Sequence, residues 1–134
     1  MKTNLDATKY EWETLAGLDS LWAILGGTNK RFGRWDQDEF FSTGDKEITS
    51  VITFLKKKDI SIKKINRVLD FGCGVGRLTR ALAKHFPKVY GIDISKTMIN
   101  KARKFNSKCK NCNFLVKSSG RSLNFPNNNF NFIY

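Results

Sequence analysis

The stretch Val68-Leu69-Asp70-Phe71-Gly72-Cys73-Gly74-Val75-Gly76-Arg77-Leu78 decides the fold. Val68, Leu69 and Phe71 make a short apolar run of the kind that fills a buried parallel strand. Three alternating glycines interrupt it, and apolar residues at helical spacing resume at Leu78, Ala81, Leu82 and His85/Phe86. Strand, glycine turn and helix in that order form the setting in which a Gly-rich motif carries meaning. A turn this tight demands positive φ, and a bare backbone admits a ligand to van der Waals contact. Free N–H groups at the start of the following helix are expected to add a polar cradle.

The neighbours of the turn narrow the ligand. Asp70 stands two residues before the first glycine, at the carboxyl end of the strand. A dinucleotide site places an apolar residue there and a third glycine at position 77, where this chain has Arg77. Twenty-one residues past Gly72, Asp93 ends a second apolar run, Val89-Tyr90-Gly91-Ile92. An acid at that distance, on the tip of the next strand, is placed to accept hydrogen bonds from ribose hydroxyls. The residues alone therefore point to a nucleoside-bearing ligand at the first crossover of a doubly wound sheet.

Asp70-Phe71-Gly72-Cys73-Gly74-Val75-Gly76, followed by Gly91-Ile92-Asp93-Ile94-Ser95-Lys96-Thr97-Met98, resembles motif I and its successor in class I S-adenosylmethionine-dependent methyltransferases, small-molecule methyltransferases of types 11 and 25 among them. Asn111-Cys112-Asn113-Phe114 and Phe130-Asn131-Phe132-Ile133-Tyr134 resemble the third and fourth strands of that family, with Asn131 where an Asp is usual. The strong resemblance covers residues 66–134, and residues 30–58 match more loosely the lead-in helices of some members. It implies an α/β, Rossmann-like, doubly wound parallel sheet, partial, in the strand order 3-2-1-4, with N-terminal helices. It implies S-adenosyl-L-methionine as cofactor. Asp70 and the backbone of Phe71, Gly72, Cys73 and Gly74 are expected to hold its amino-acid end. Asp93 would take the ribose, Ile94 and Met98 the adenine ring, and Ser119 with Gly120 the adenine edge. Ser119 stands where the family often carries an acid or Asn.

Composition sets bounds. At 134 residues the chain suffices for one modest domain, and no run of about 18 apolar residues exists to span a membrane. Its first residues lack the apolar core of a signal peptide, which predicts a cytoplasmic protein without a membrane partner. Three cysteines, an odd number, argue against a disulfide framework. Cys109-Lys110-Asn111-Cys112 raises zinc, but a structural site needs four ligands, and only Cys73 and His85 remain as candidates. No metal is expected, and no redox role either, because the pair does not open a helix after a strand. The net charge of +12 is uneven: residues 1–60 hold 9 Lys/Arg and 10 Asp/Glu, residues 61–134 hold 15 and 2. The two acids of that basic half are Asp70 and Asp93. Without an aromatic-interleaved cluster, the excess reads as solvated helix faces rather than a nucleic-acid site.

Along the chain, residues 5–25 read as an amphipathic helix with Trp12, Leu15, Leu18, Trp22 and Leu25 on one stripe, ended by Gly26-Gly27. The resemblance implies that this helix covers the cofactor pocket. Trp35, Phe40 or Phe41 would wall the methionine end if they are not core. Ser42 or Thr43 is expected to cap a helix over residues 44–58, and Ser95 one that runs to Phe105. The organisation expected is a helical lead-in or lid over residues 1–60 and the cofactor-binding half of a Rossmann-like domain over 61–134.

The function expected is methyl transfer from the cofactor sulfonium to a small-molecule acceptor. The chain reads as a fragment that ends in the fourth strand, and no residue present stands out as a general base. Two other readings stay open. One is a non-catalytic module binding S-adenosylmethionine or RNA, and the other is an NAD-dependent oxidoreductase, which Asp70 and Arg77 disfavour.

Overall fold

The computed structural model of the chain describes residues 4–117 and 122–134. Two long helices come first, α1 (Asn4–Ile24) and α2 (Gln37–Lys57). The sheet segment follows as β1 (Val68–Phe71), α3 (Arg77–Leu82), β2 (Val89–Asp93), α4 (Lys96–Phe105), β3 (Cys112–Val116) and β4 (Phe132–Ile133). Every pairing is parallel and the order is β3-β2-β1-β4, the Rossmann-like arrangement expected. Growth of the sheet reverses direction at β1, so the switch point lies beside that strand, where ligands of open α/β sheets bind. The register sets Asp70 opposite Gly91 and Phe71 opposite Ile92.

Strand alternation sorts the side chains between the two faces. Val68 and Val89 pack with Leu82, Phe86 and, from α2, Ile48 and Ile52 in one buried cluster. Leu69 and Tyr90 point the other way. There Tyr90 meets Phe125 and Phe130, whose ring centroids lie 5.6 Å from it and 4.8 Å from one another. β4 is shorter than the run Phe130–Tyr134 suggests. Single bonds continue the ladder past it, from the Asn131 N–H to the Arg67 carbonyl and from the Phe71 N–H to the Tyr134 carbonyl. Asn131 has its own use: its side-chain oxygen accepts from the Asn66 and Arg67 N–H groups, both at 3.2 Å.

The N-terminal helices depart most from expectation. α1 is broken at Asp19 (φ −156°, ψ 88°), whose carboxylate accepts from the Trp22 N–H and reaches across to the Gly33 N–H. An acid two-thirds of the way along thus caps a second short helix, and the break rotates the stripe. Leu18 ends 79% exposed, while Ala16 and Ser20 are the buried residues. α2 starts earlier than expected because Asp36, not Ser42 or Thr43, is its cap, accepting from the Glu39 N–H at 2.8 Å. The Ser42 and Thr43 hydroxyls instead donate back to the Glu39 and Phe40 carbonyls inside the helix. α2 also lies close against α3: a Cβ on Gly44 would meet the Arg77 carbonyl oxygen at 2.6 Å. Cys109 and Cys112 are joined in a disulfide, contrary to the sequence expectation, and Cys73 alone is free. The tight turn into β3, in which the Cys112 N–H donates to the Cys109 carbonyl, brings the two side chains together.

Candidate functional site

A cavity of about 420 Å³ opens at the carboxyl ends of β1 and β2. Its floor is Phe71, Gly72 and Gly74, and one wall is Ile92, Asp93, Ile94 and Met98. The opposite wall is α1, through Leu5, Thr8, Trp12 and Ile24, with Lys117 at the end of β3 completing the lining. The volume falls within the range of small-molecule pockets, roughly 300–1,000 Å³.

The glycine turn makes room for this cavity by conformation. Gly72, Gly74 and Gly76 hold φ of 75°, 53° and 83°, the left-handed region that side-chain-bearing residues avoid. Four N–H groups of the turn itself are spent within the protein. The Gly72 and Cys73 N–H groups both donate to the Ile92 carbonyl at 2.9 Å, Gly76 donates to Cys73, and Gly74 donates to the Asp93 carboxylate at 2.8 Å. The turn is bolted to β2 by its own donors, with Gly72 and Gly74 lining the cavity and Gly76 packed against Phe114 and Asn106.

Asp93 is the polar centre of the wall. One carboxylate oxygen accepts from Gly74 N–H and the other from Ser95 N–H, each at 2.8 Å. Each oxygen keeps a lone pair free for a further donor in the cavity. Two residues on, Ser95 is buried and caps α4, its hydroxyl accepting from the Met98 N–H at 3.0 Å, as the sequence predicts. Met98 is 1% exposed and touches both the cavity and the core cluster of Phe40, Phe41 and Val75.

Two candidate residues lie elsewhere. Asp70 faces away from the cavity, because alternation along β1 turns it toward α3, where the Thr79 hydroxyl donates to it at 2.6 Å. Burial lifts its carboxyl to about 6, against the pull of the Thr79 hydrogen bonds and the Arg77 charge. Cys73 packs among Ile99, Ala102 and Phe114, and burial pushes its thiol well up. Both support the turn from behind. Phe40 and Phe41 are fully buried core, and Trp35 packs edge-on against Phe40 at 5.6 Å, so none of the three walls the cavity. Ser119 and Gly120 lie outside the described residues.

The resemblance places α1 over the pocket, but of the expected stripe only Trp12 lines the cavity, joined by Leu5, Thr8 and Ile24. Leu5, Thr8 and Trp12 follow i, i+3, i+7 spacing, a face that was visible but overshadowed by the leucine stripe. Glu13, beside Trp12, docks this helix: its carboxylate accepts from the Lys96 and Thr97 N–H groups at the start of α4. Burial works to raise its carboxyl, but hydrogen bonds from Thr97, Lys96 and Ser95 outweigh burial and hold it below its usual value. Lys101, farther along α4, donates to the Ala16 carbonyl at 2.7 Å and to the Ser20 hydroxyl at 3.2 Å.

Comparison with known proteins agrees with this geometry. The family described as a methyltransferase domain matches residues 68–134. An uncharacterized methyltransferase of Schizosaccharomyces pombe is 36% identical over 77 residues, which are 54% of this chain and 25% of that protein. Phosphoethanolamine N-methyltransferase 3 of Arabidopsis thaliana is 35% identical over 68 residues, 50% of this chain and 14% of its own. A SAM-dependent methyltransferase of Leishmania major superposes with a TM-score of 0.68 at 20% identity, covering 96% of this chain and 46% of that one. The chain thus spans about a quarter or less of the length of these curated relatives.

Proposed function

The chain belongs to the methyltransferase domain family, and we propose that its cavity holds S-adenosylmethionine for methyl transfer to a small-molecule acceptor. The observation that carries this is Asp93, anchored at both oxygens by backbone N–H groups on the wall beside the glycine turn. A carboxylate oriented by its own backbone is ready to accept from two neighbouring ribose hydroxyls without reorganising. The cavity suits the remaining parts of such a ligand. Gly72 has nothing within 4 Å of where a Cβ would sit, so its Cα face is open to the amino-acid end. Ile94 and Met98 offer an apolar slot for a flat ring, with Trp12 facing them from α1. Arg77 takes no part, since its guanidinium is turned to Glu47 and Thr43 beneath the turn.

When bound, the cofactor's sulfonium makes its methyl group electrophilic. The protein's residues then serve to orient and enclose: Asp93 fixes the ribose, the turn fixes the chain end, and α1 excludes water. In this reading residues 1–60 supply the lid and residues 61–134 the cofactor-binding half. The acceptor is proposed to be a small molecule, the class to which phosphoethanolamine, named for the Arabidopsis relative, belongs.

Calorimetric titration tests the reading. S-adenosylhomocysteine is expected to bind more tightly than NAD, and Asp93→Ala to weaken that binding by roughly 1.5–3 kcal/mol, the range for losing a charged hydrogen-bond partner. Tighter binding of NAD, or an affinity unmoved by the substitution, overturns it.

A further inference from the structure

The end of the sheet opposite the cavity carries a concentration of charge that the proposed chemistry does not use. Residues 54–67, Phe-Leu-Lys-Lys-Lys-Asp-Ile-Ser-Ile-Lys-Lys-Ile-Asn-Arg, hold six cations and one acid, Asp59. Lys56 and Lys57 close the last turn of α2, Lys58 is its C-cap, and Lys63 and Lys64 sit in the short 3-10 turn that follows. The connection is tight: the Ile60 N–H donates back to the Leu55 carbonyl at 3.0 Å. Lys88 joins the same end, because its carbonyl accepts from Val68, the first residue of β1. The ion pairs among the described residues are Lys30–Glu39, Arg77–Glu47 and Lys84–Asp45, so none neutralises this cluster. Leu55 and Ile65 are buried beneath it, but Phe54 and Ile60 stand out at 58% and 47% exposure. Lys58 lies 5.8 Å from the Phe54 ring.

We propose that this face binds the surface of an anionic phospholipid bilayer, with the lysines over the headgroups and Phe54 and Ile60 pressed into the interface. Charge complementarity selects an anionic partner, and clustered lysines flanked by exposed apolar side chains suit a headgroup layer. Nucleic acid fits less well: it calls for several stacking rings along a groove, and here Phe54 is the single exposed ring between the lysines. Lysine also presents point charges, without the planar fork that Arg offers to a phosphate or base edge. The contact is peripheral, for no helix of the described residues is long and apolar enough to cross a membrane. It departs from the sequence expectation of no membrane partner, which rested on the absence of a spanning segment. Docked this way, the molecule keeps the cavity at its far end, clear of the lipid surface.

Cosedimentation of the full chain with vesicles tests the proposal. Phosphatidylcholine vesicles containing about one-third phosphatidylserine are expected to bind it, and vesicles of phosphatidylcholine alone are not. Binding should weaken by about tenfold or more on raising salt from roughly 0.05 to 0.3 M. Replacing Lys56, Lys57, Lys63 and Lys64 together by Gln should weaken it by about a hundredfold or more. Phe54→Ser with Ile60→Ser should weaken it by about tenfold. Circular dichroism and melting of each variant confirm that it is folded. Equal binding to neutral vesicles, an unaffected lysine variant, or displacement from the anionic vesicles by a matching charge of single-stranded RNA overturns the proposal.

Discussion

The two crossovers of the sheet share one topology and solve the same turn in opposite ways. After β1 the chain turns through glycines: φ is positive at Gly72, Gly74 and Gly76, and α3 starts at an αL residue with no side-chain cap. After β2 it turns through side chains: Asp93 braces the loop, Ser95 caps α4, and Glu13 arrives from α1 to hold the same helix end. The first turn removes atoms and so makes space, and the second adds acceptors and so makes contacts. A site for a ligand with both a bulky and a hydroxyl-bearing part needs one of each, side by side at the switch point.

Adding a side chain to the first turn where it is closely packed should cost most. A Cβ on Gly76 would sit 2.7 Å from the Phe114 ring and 2.8 Å from the Asn106 amide nitrogen, at a φ of 83°. Left-handed strain of about 1–2 kcal/mol and overpacking of about 1–3 kcal/mol act together, since Phe114 is itself buried. Gly76→Ala is therefore expected to lower unfolding free energy by roughly 2–5 kcal/mol, read from urea denaturation. A midpoint within error of the parent would show that the turn tolerates side chains and that the contrast is false.

The buried acid behind the first turn comes next. Burial raises the Asp70 carboxyl from 3.8 to about 6, so between those values the folded chain holds a proton that the unfolded chain has released. Its contribution to stability is thus full below about pH 4 and is lost as pH rises through about 6. Asp70→Asn keeps an acceptor for the Thr79 hydroxyl without the charge. It is expected to stabilise the protein near pH 7.5 by up to about 3 kcal/mol and to flatten the decline between pH 4 and 6. Denaturation midpoints at four pH values across that window check both. A parent whose stability climbs across it would contradict the burial argument.

The smallest effect belongs to the second turn. Hydrogen bonds hold Glu13 below its usual value, so its contribution is present above the unfolded value and disappears as pH falls through the folded one. Glu13→Gln should cost about 0.3–1 kcal/mol, as for an acid at a helix N-terminus. Hydrogen exchange should speed up at the Lys96 and Thr97 amides, and Trp12 fluorescence should report the loosened wall. Unchanged exchange at both amides would mean that α1 is held by Lys101 alone.

Much of what is encoded over a few neighbouring residues could be read from the sequence, although the Asp36 cap and the Cys109–Cys112 pairing, equally local, were not. The strand Val68–Phe71, the glycine turn and the Ser95 cap rest on short-range spacing, and the strand order came with the family resemblance. The cavity position of Gly72, Gly74 and Asp93 was legible from the same spacing, and that of Ile94 and Met98 through the resemblance. Tertiary structure decided which way Asp70 faces, because that depends on which side of β1 α3 packs. It decided that the turn's donors close on Ile92 and Asp93, since β2 lies beside them only in the folded sheet. It decided that α1 breaks at Asp19, whose second partner, Gly33, is beyond the helix's own span. It also brought Glu13 to the start of α4, 83 residues away in the chain. Periodicity reports which face of a helix is apolar, but not which distant backbone N–H groups an acid on that helix will meet.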